Sequence, residues 1–209
     1  MTLRRLLPLL LALLALIAAD MSAASAQSQP PKEHSRKKPS HRTLKPPPNH
    51  AARLAGLYDA LAKAPNPQTA KALEAQIEIA RLQSGSPTAD LLMTRARQSL
   101  AAKDKRLALE LLDSVVSIAP NFTEARAQRA TLYYERKDIV RALADLRVIV
   151  ARDPKHYQAL TGLGIIFEEL GEDKLALDAF RRAVAVDPYL EGADDFIKKL
   201  SLKVEGREI

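Results

Sequence analysis

Apolar positions between residues 87 and 190 recur in two rhythms at once. Within short stretches they fall three and four residues apart, the spacing of one helix face. Over longer distance the pattern repeats every 34 residues. Leu112, Leu146 and Phe180 fall into one column, Val115, Ile149 and Ala183 into a second, and Ala108, Ala142 and Ala176 into a third, while Tyr133 aligns with Phe167. Pro120, Pro154 and Pro188 keep the same spacing. Each stands where a second helix must end, because a prolyl nitrogen cannot donate and its ring opposes continuation. Three hairpin units follow, over 89–122, 123–156 and 157–190. A 34-residue period with helix-turn-helix content predicts an all-α solenoid of stacked helical hairpins. The alanine column leaves room for close approach of the paired helices.

The flanks extend the pattern. Leu54, Leu57, Tyr58 and Leu61 keep helical spacing, as do Ala72, Leu73, Ile77, Ala80 and Leu82. They predict helices over 51–63 and 68–83, with Asn66-Pro67 as a cap followed by proline at the first helical position, and Gly85 as a stop. This N-terminal hairpin, 51–86, reads as a degenerate repeat capping the array ahead of repeat one. The array itself occupies 87–203. Its last helix, 190–203, carries Leu190, Ala193, Phe196, Ile197 and Leu200 and covers the final repeat. Asn121 reads as a helix cap with Glu124 at the third helical position. Asp138 and Gly171-Glu172-Asp173 mark turns between paired helices.

The residues in these columns resemble tetratricopeptide repeats (TPRs). The third unit matches best, with Leu160, Leu163-Gly164, Phe167, Gly171, Ala176, Phe180, Ala183 and Asp187-Pro188. The second offers Ala130, Tyr133-Tyr134, Asp138, Ala142, Leu146, Ile149 and Asp153-Pro154. The first offers Leu92, Ala96, Ala108, Leu112, Val115 and Pro120. Departures occur where Arg95 and Arg129 stand in the column of Leu163, Arg126 in that of Leu160, and Lys103 and Lys137 in that of Gly171. Long arginine stems can snorkel from such sites.

The resemblance implies a concave groove lined by the first helix of each repeat. By position, repeat one would contribute Asp90, Met93, Thr94, Arg97 and Leu100. Repeat two would contribute Glu124, Ala127, Gln128, Thr131, Tyr134 and Glu135, and repeat three Gln158, Thr161, Gly162, Ile165, Glu168 and Glu169. Five carboxylates face one arginine, a balance of −4. A basic or extended peptide segment of a protein partner is the expected ligand. The Lys/Asn/Arg clamp with which some TPR proteins grip a terminal carboxylate is absent, so the resemblance does not extend to chaperone C-termini.

Charge separates the ends from the body. Residues 27–50 hold six prolines and no apolar run, which rules out a packed core and predicts a disordered, proline-rich basic tail. Lys32, Arg36, Lys37, Lys38, Arg42 and Lys45 face only Glu33, so the tail carries +5 of the total +7, while 51–209 is nearly balanced at +1. The high pI of 9.7 is therefore a property of the tail. Without aromatic residues, that tail lacks the stacking groups of a single-strand binder, and no nucleic-acid partner is expected. Contact between the basic tail and the acidic groove is a further expectation. Ahead of the tail, Arg4 and Arg5, the apolar run Leu6–Ala19 and Ala24-Ser25-Ala26 have the layout of a secretory signal, 1–26, cleaved after Ala26. The apolar run would reach only about 21 Å as a helix, short of the roughly 30 Å hydrocarbon layer. A periplasmic product without stable membrane insertion is expected. The alternative is a membrane-tethered scaffold, with an uncleaved anchor and the proline-rich tail as its stalk.

No constellation for catalysis, cofactor or metal is legible. The chain has no cysteine, and His34, His41 and His50 fall in the tail at spacings that fit no ligand pattern. His156 falls in an inter-repeat turn. Gly162-Leu163-Gly164 lacks the third glycine and the preceding strand of a nucleotide loop. Adjacent carboxylates such as Glu168-Glu169 and Asp194-Asp195 point about 100° apart on a helix and do not make a catalytic pair. The expected function is that of a non-enzymatic adaptor serving cell-envelope assembly or integrity. The sequence names neither its partner nor its oligomeric state.

Overall fold

A computed structural model describes residues 50–206. The signal, the basic tail up to residue 49 and the last three residues lie outside the described residues. Among the described residues there are helices and turns and no strand. The helices are α1 (His50–Leu61), α2 (Pro67–Arg81), α3 (Pro87–Ala101), α4 (Lys105–Ile118), α5 (Thr123–Glu135), α6 (Ile139–Arg152), α7 (Tyr157–Glu169), α8 (Asp173–Val186) and α9 (Ala193–Glu205). The pairs α3–α4, α5–α6 and α7–α8 are the three expected repeats, and each helix from α3 onward packs on the next. Among the described residues no helix is long and apolar enough to cross a membrane.

The columns read from sequence are buried columns. Ala108, Ala142 and Ala176 have no exposure, and Leu112, Val115, Ile149, Phe180 and Ala183 are equally closed off. The turn inside each repeat is the same in all three. Lys103, Lys137 and Gly171 adopt left-handed backbone, with φ of 62°, 60° and 76°. The next amide then reaches back past the helix end: Asp104 N to Ser99 O at 2.9 Å, Asp138 N to Tyr133 O at 2.8 Å, Glu172 N to Phe167 O at 2.8 Å. That bond pattern satisfies carbonyls which a helix end leaves without partners. Asp104 and Asp138 then cap the second helices by accepting from Leu107 N and Arg141 N.

Arg126 and Arg129 do not snorkel to solvent. Both converge on Asp145 of α6, which is itself buried. Arg126 Nη1 donates to Asp145 Oδ1 at 3.0 Å, and Arg129 donates through Nε and Nη2 at 2.7 Å each. Arg129 also reaches Asp113 of the preceding repeat at 2.8 Å. Its hydrogen bonds to Asp145 hold the guanidinium well above the usual arginine range, against the opposing effect of burial. In repeat three the same columns hold Leu160, Leu163 and Ala179. Repeat two thus fills an apolar position with a compact ion cluster.

Two expectations are corrected. Asn121 does not cap α5: Phe122 occupies the cap position with no side-chain hydrogen bond, and Asn121 Oδ1 accepts from Arg152 Nη1 instead. The N-terminal hairpin forms, with Asn66 capping α2 through Thr69 N at 2.9 Å, but it does not stack ahead of repeat one. Its apolar face (Tyr58, Leu61, Ala70, Ile77) shares a core with Tyr157, Leu160, Ala183 and Val186 of repeat three. Large side chains on both sides fill that seam. Tyr58 Oη adds a hydrogen bond to Asp153 at 2.6 Å, and Lys155 pairs with Asp59. Among the described residues, none covers the outer face of repeat one. Leu91 is 55% exposed there, whereas Ala125 and Ala159, its column mates, are 0% and 2% exposed beneath the preceding repeat.

At the other end, α9 covers repeat three as expected. Phe196 stacks on Phe180 with centroids 4.7 Å apart. Lys199 pairs with Glu168, Lys203 with Asp173 and Arg181 with Glu205.

Candidate functional site

Between the first helices of repeats two and three the array leaves a cavity of about 370 Å³. Small side chains create it. Ala127 and Thr131 on α5 and Gly162 on α7 stand where larger residues would close the gap. At Gly162 a methyl group would sit 3.4 Å from Leu146, which forms the floor. Ile165 and Ile166 supply an apolar wall, and Glu124, Gln128, Tyr134 and Gln158 bring polar groups to it. His156 closes one end.

Of the groove residues expected from sequence, Glu124, Gln128, Thr131, Tyr134, Gln158 and Ile165 meet in this cavity. The repeat-one members do not. Met93 is a core residue, 2% exposed, because its long unbranched chain fills the space between repeats. Asp90 accepts hydrogen bonds from the Ser84 amide at 3.1 Å and hydroxyl at 2.5 Å, tying down the segment before α3. Arg97 is half-buried, with its Nε reaching no protein acceptor. Thr161 returns its hydroxyl to Tyr157 O.

The carboxylates expected along the groove are held by several partners. Glu135 pairs with Lys105 at 3.0 Å, Glu168 with Lys199 at 2.6 Å, and Glu169 accepts from Tyr134 Oη. That bond, with burial and the charges of Glu169 and Glu168, pushes the Tyr134 phenol up. Lys137 lies over its ring, 5.3 Å from the centroid. Only Glu124 brings a carboxylate to the cavity, and it accepts from Gln128 Nε2 at 3.2 Å. Gln128 Oε1 is buried with no donor among the described residues. The site is therefore an apolar slot with acceptors at one side, suited to a segment that brings N–H donors.

His156 is the residue sequence reading placed least well. It is fully buried, caps α7 by accepting from Ala159 N at 3.2 Å, and meets Arg81 of α2. One signal was available: the 34-residue frame puts His156 in the column of Phe122 and Leu190. Among the described residues, no group of three or more acidic, histidine or cysteine side chains is placed to hold a metal ion.

No family model matches the chain. A TPR repeat-containing protein of Rhizobium etli is 29% identical over 154 residues, which is 74% of this chain and 76% of that protein. The Hsc co-chaperone sgt12 of Aspergillus fumigatus is 25% identical over 152 residues, 71% of this chain but only 44% of that longer protein. Among solved structures, the first TPR of Spaghetti (RPAP3) bound to an HSP90 peptide superposes with a TM-score of 0.54 at 18% identity, over 57% of this chain and 95% of that one. MamA superposes with a TM-score of 0.52 at 16% identity, over 75% of this chain and 83% of that one. With three in-register repeats, a shared left-handed turn in each, and these likenesses in sequence and fold, the chain folds as a TPR-type solenoid of helical hairpins and is similar to tetratricopeptide-repeat proteins.

Proposed function

We propose that the chain is a non-enzymatic adaptor, exported to the periplasm, that holds a segment of a protein partner in the slot between α5 and α7 and serves cell-envelope assembly or integrity. The observation that carries the binding reading is the slot itself. Its lining joins Ala127, Leu146, Ile165 and Ile166 to polar groups, among which the Glu124 carboxylate and Gln128 Oε1, unpartnered among the described residues, wait for donors. An extended peptide offers backbone N–H groups and side chains at the spacing such a slot accepts, and a basic side chain complements Glu124. The bound HSP90 peptide of the RPAP3 structure is a property of that protein. It supports peptide holding as a use of this fold, while the clamp for a terminal carboxylate is missing here. Export rests on the layout of residues 1–26, and the envelope role on the compartment that layout addresses.

The binding reading is tested by affinity capture from periplasmic extract with the mature chain and with Thr131→Trp, whose indole would fill the slot. A partner retained by the first and lost by the second, with unchanged helicity, supports the proposal. Equal retention by both sinks it. N-terminal sequencing of the exported product separates the soluble form, beginning at Gln27, from the membrane-tethered alternative that keeps its first twenty residues.

A further inference from the structure

The N-terminal hairpin is held at repeat three by a contact between two basic side chains. Arg81, at the end of α2, is 3% exposed, and among the described residues no carboxylate pairs with it. Its Nη1 lies 3.0 Å from Nδ1 and 2.9 Å from Nε2 of His156, which has no exposure at all. The guanidinium plane rests near the Tyr157 ring, 5.5 Å from its centroid. Arginine has only donors, so the imidazole must present a lone pair and must be neutral. A second proton would remove that lone pair and set two cations side by side out of water.

We infer that Arg81 and His156 form a proton-sensitive latch, which holds the α1–α2 hairpin on repeat three when His156 is neutral and lets it go when His156 is protonated. Release would bare Tyr157, Leu160, Ala183 and Val186 beside the slot that His156 itself closes. The inference stands apart from the proposed binding activity, because the docking equilibrium is measurable with no partner present.

The surroundings fix the direction and window. Burial first, and the Arg81 charge second, lower His156 from 6.5 to about 3. The docked form therefore binds fewer protons, and docking is complete above the ordinary histidine range and weakens as pH falls below 6.5. Other charged groups also face the seam. Glu74 of α2 and Asp187 after α8 are raised by burial, Glu74 also by Asp187, so their protonation favours the docked form and opposes release. Asp59 of α1 is lowered by its hydrogen bond to Lys155, and that contact weakens only in the acid carboxylate range. Asp153 accepts from Tyr58, and Glu124 faces His156 across the slot. His50, at the start of α1, meets Ala80 O within the hairpin at 2.7 Å. Between pH 7.5 and 5.5, His156 is the group whose protonation opposes docking.

Amide hydrogen exchange on the whole chain, corrected for intrinsic rates, reads the latch directly. From pH 7.5 to 5.5, protection of α1 and α2 should fall by as much as about tenfold relative to α3–α8, the limit for a histidine returning to 6.5 on release. His156→Asn keeps an acceptor for the Ala159 amide and cannot be protonated, so the fall should vanish. His50→Gln should retain it. Should the asparagine variant not fold, Arg81→Gln decides the point: with the partner cation gone, the fall should shrink. Equal hairpin protection at both pH values in the unaltered chain overturns the latch, and so does a full fall that survives in His156→Asn.

Discussion

Arg129 grips Asp145 through two parallel hydrogen bonds of 2.7 Å, in columns where the next repeat has Leu163 and Ala179. With Arg126 on the same carboxylate, repeat two carries a charge cluster inside a seam that repeat three closes with apolar side chains. Such clusters are strongly destabilising to break but add little over apolar packing when replaced whole.

Asp145→Ala should therefore lower stability by about 3–5 kcal/mol, because the partly buried Arg126 loses its carboxylate and Arg129 keeps only Asp113. Urea denaturation followed by helicity measures it. Installing the whole repeat-three set, Arg126→Leu, Arg129→Leu and Asp145→Ala together, should recover most of the loss. A triple variant as unstable as the single one would show that the cluster does more than fill its seam.

Lys103 and Lys137 stand in left-handed backbone that costs a side-chain-bearing residue about 1–2 kcal/mol. Either lysine replaced by glycine, as the third repeat already has at Gly171, should gain about 0.5–1 kcal/mol after the added freedom of the unfolded chain is set against it. Thermal denaturation of Lys137→Gly is the direct check, and an unchanged or lowered midpoint would contradict the turn geometry.

The two glycines of α7 should respond differently. A methyl group at Gly164 would lie 2.9 Å from the ring of Phe180, which is buried and stacked on Phe196 and cannot retreat. Gly164→Ala should cost about 1–3 kcal/mol. At Gly162 the same group meets Leu146 at 3.4 Å. Gly162→Ala should leave stability within about 0.5 kcal/mol and narrow the slot. Urea midpoints of the pair test both statements together.

Phe196→Ala should remove the stack on Phe180 and expose the end of repeat three, at about 2–4 kcal/mol. Increased binding of a hydrophobic dye with a lowered urea midpoint is the expected pair of readings. A dye response without loss of stability would mean that α9 only covers the repeat and does not hold it.

What the sequence made legible was whatever repeats. The alanine column, the proline stops and the Asp138 turn recur at fixed spacing, so each copy checks the others, and all three lie where the period puts them. The slot was partly legible for the same reason: Glu124 and Gln158 share a column, and so do Thr131 and Ile165. Met93 escaped because column position fixes a direction on the helix and not how far a flexible side chain turns inward. The carboxylates escaped because their partners (Ser84, Lys105, Lys199) sit on other helices or in a loop, at distances no period encodes. The seat of the hairpin escaped most completely. It depends on Tyr58 meeting Asp153 and Arg81 meeting His156, contacts 95 and 75 residues apart that occur once in the chain.

Among the described residues, the α9 helix seals one end of the stack whereas Leu91 stands exposed at the other, and this gives the array a polarity of growth. A consensus repeat grafted ahead of Pro87 would meet an exposed apolar side chain in Leu91 and part only the Ser84 and Ser86 contacts that cap α3. One inserted after Pro188 would first have to evict Phe196 from Phe180 and part Lys199 from Glu168 and Lys203 from Asp173. Lengthening of this architecture is therefore permitted from the N-terminal side and resisted from the other.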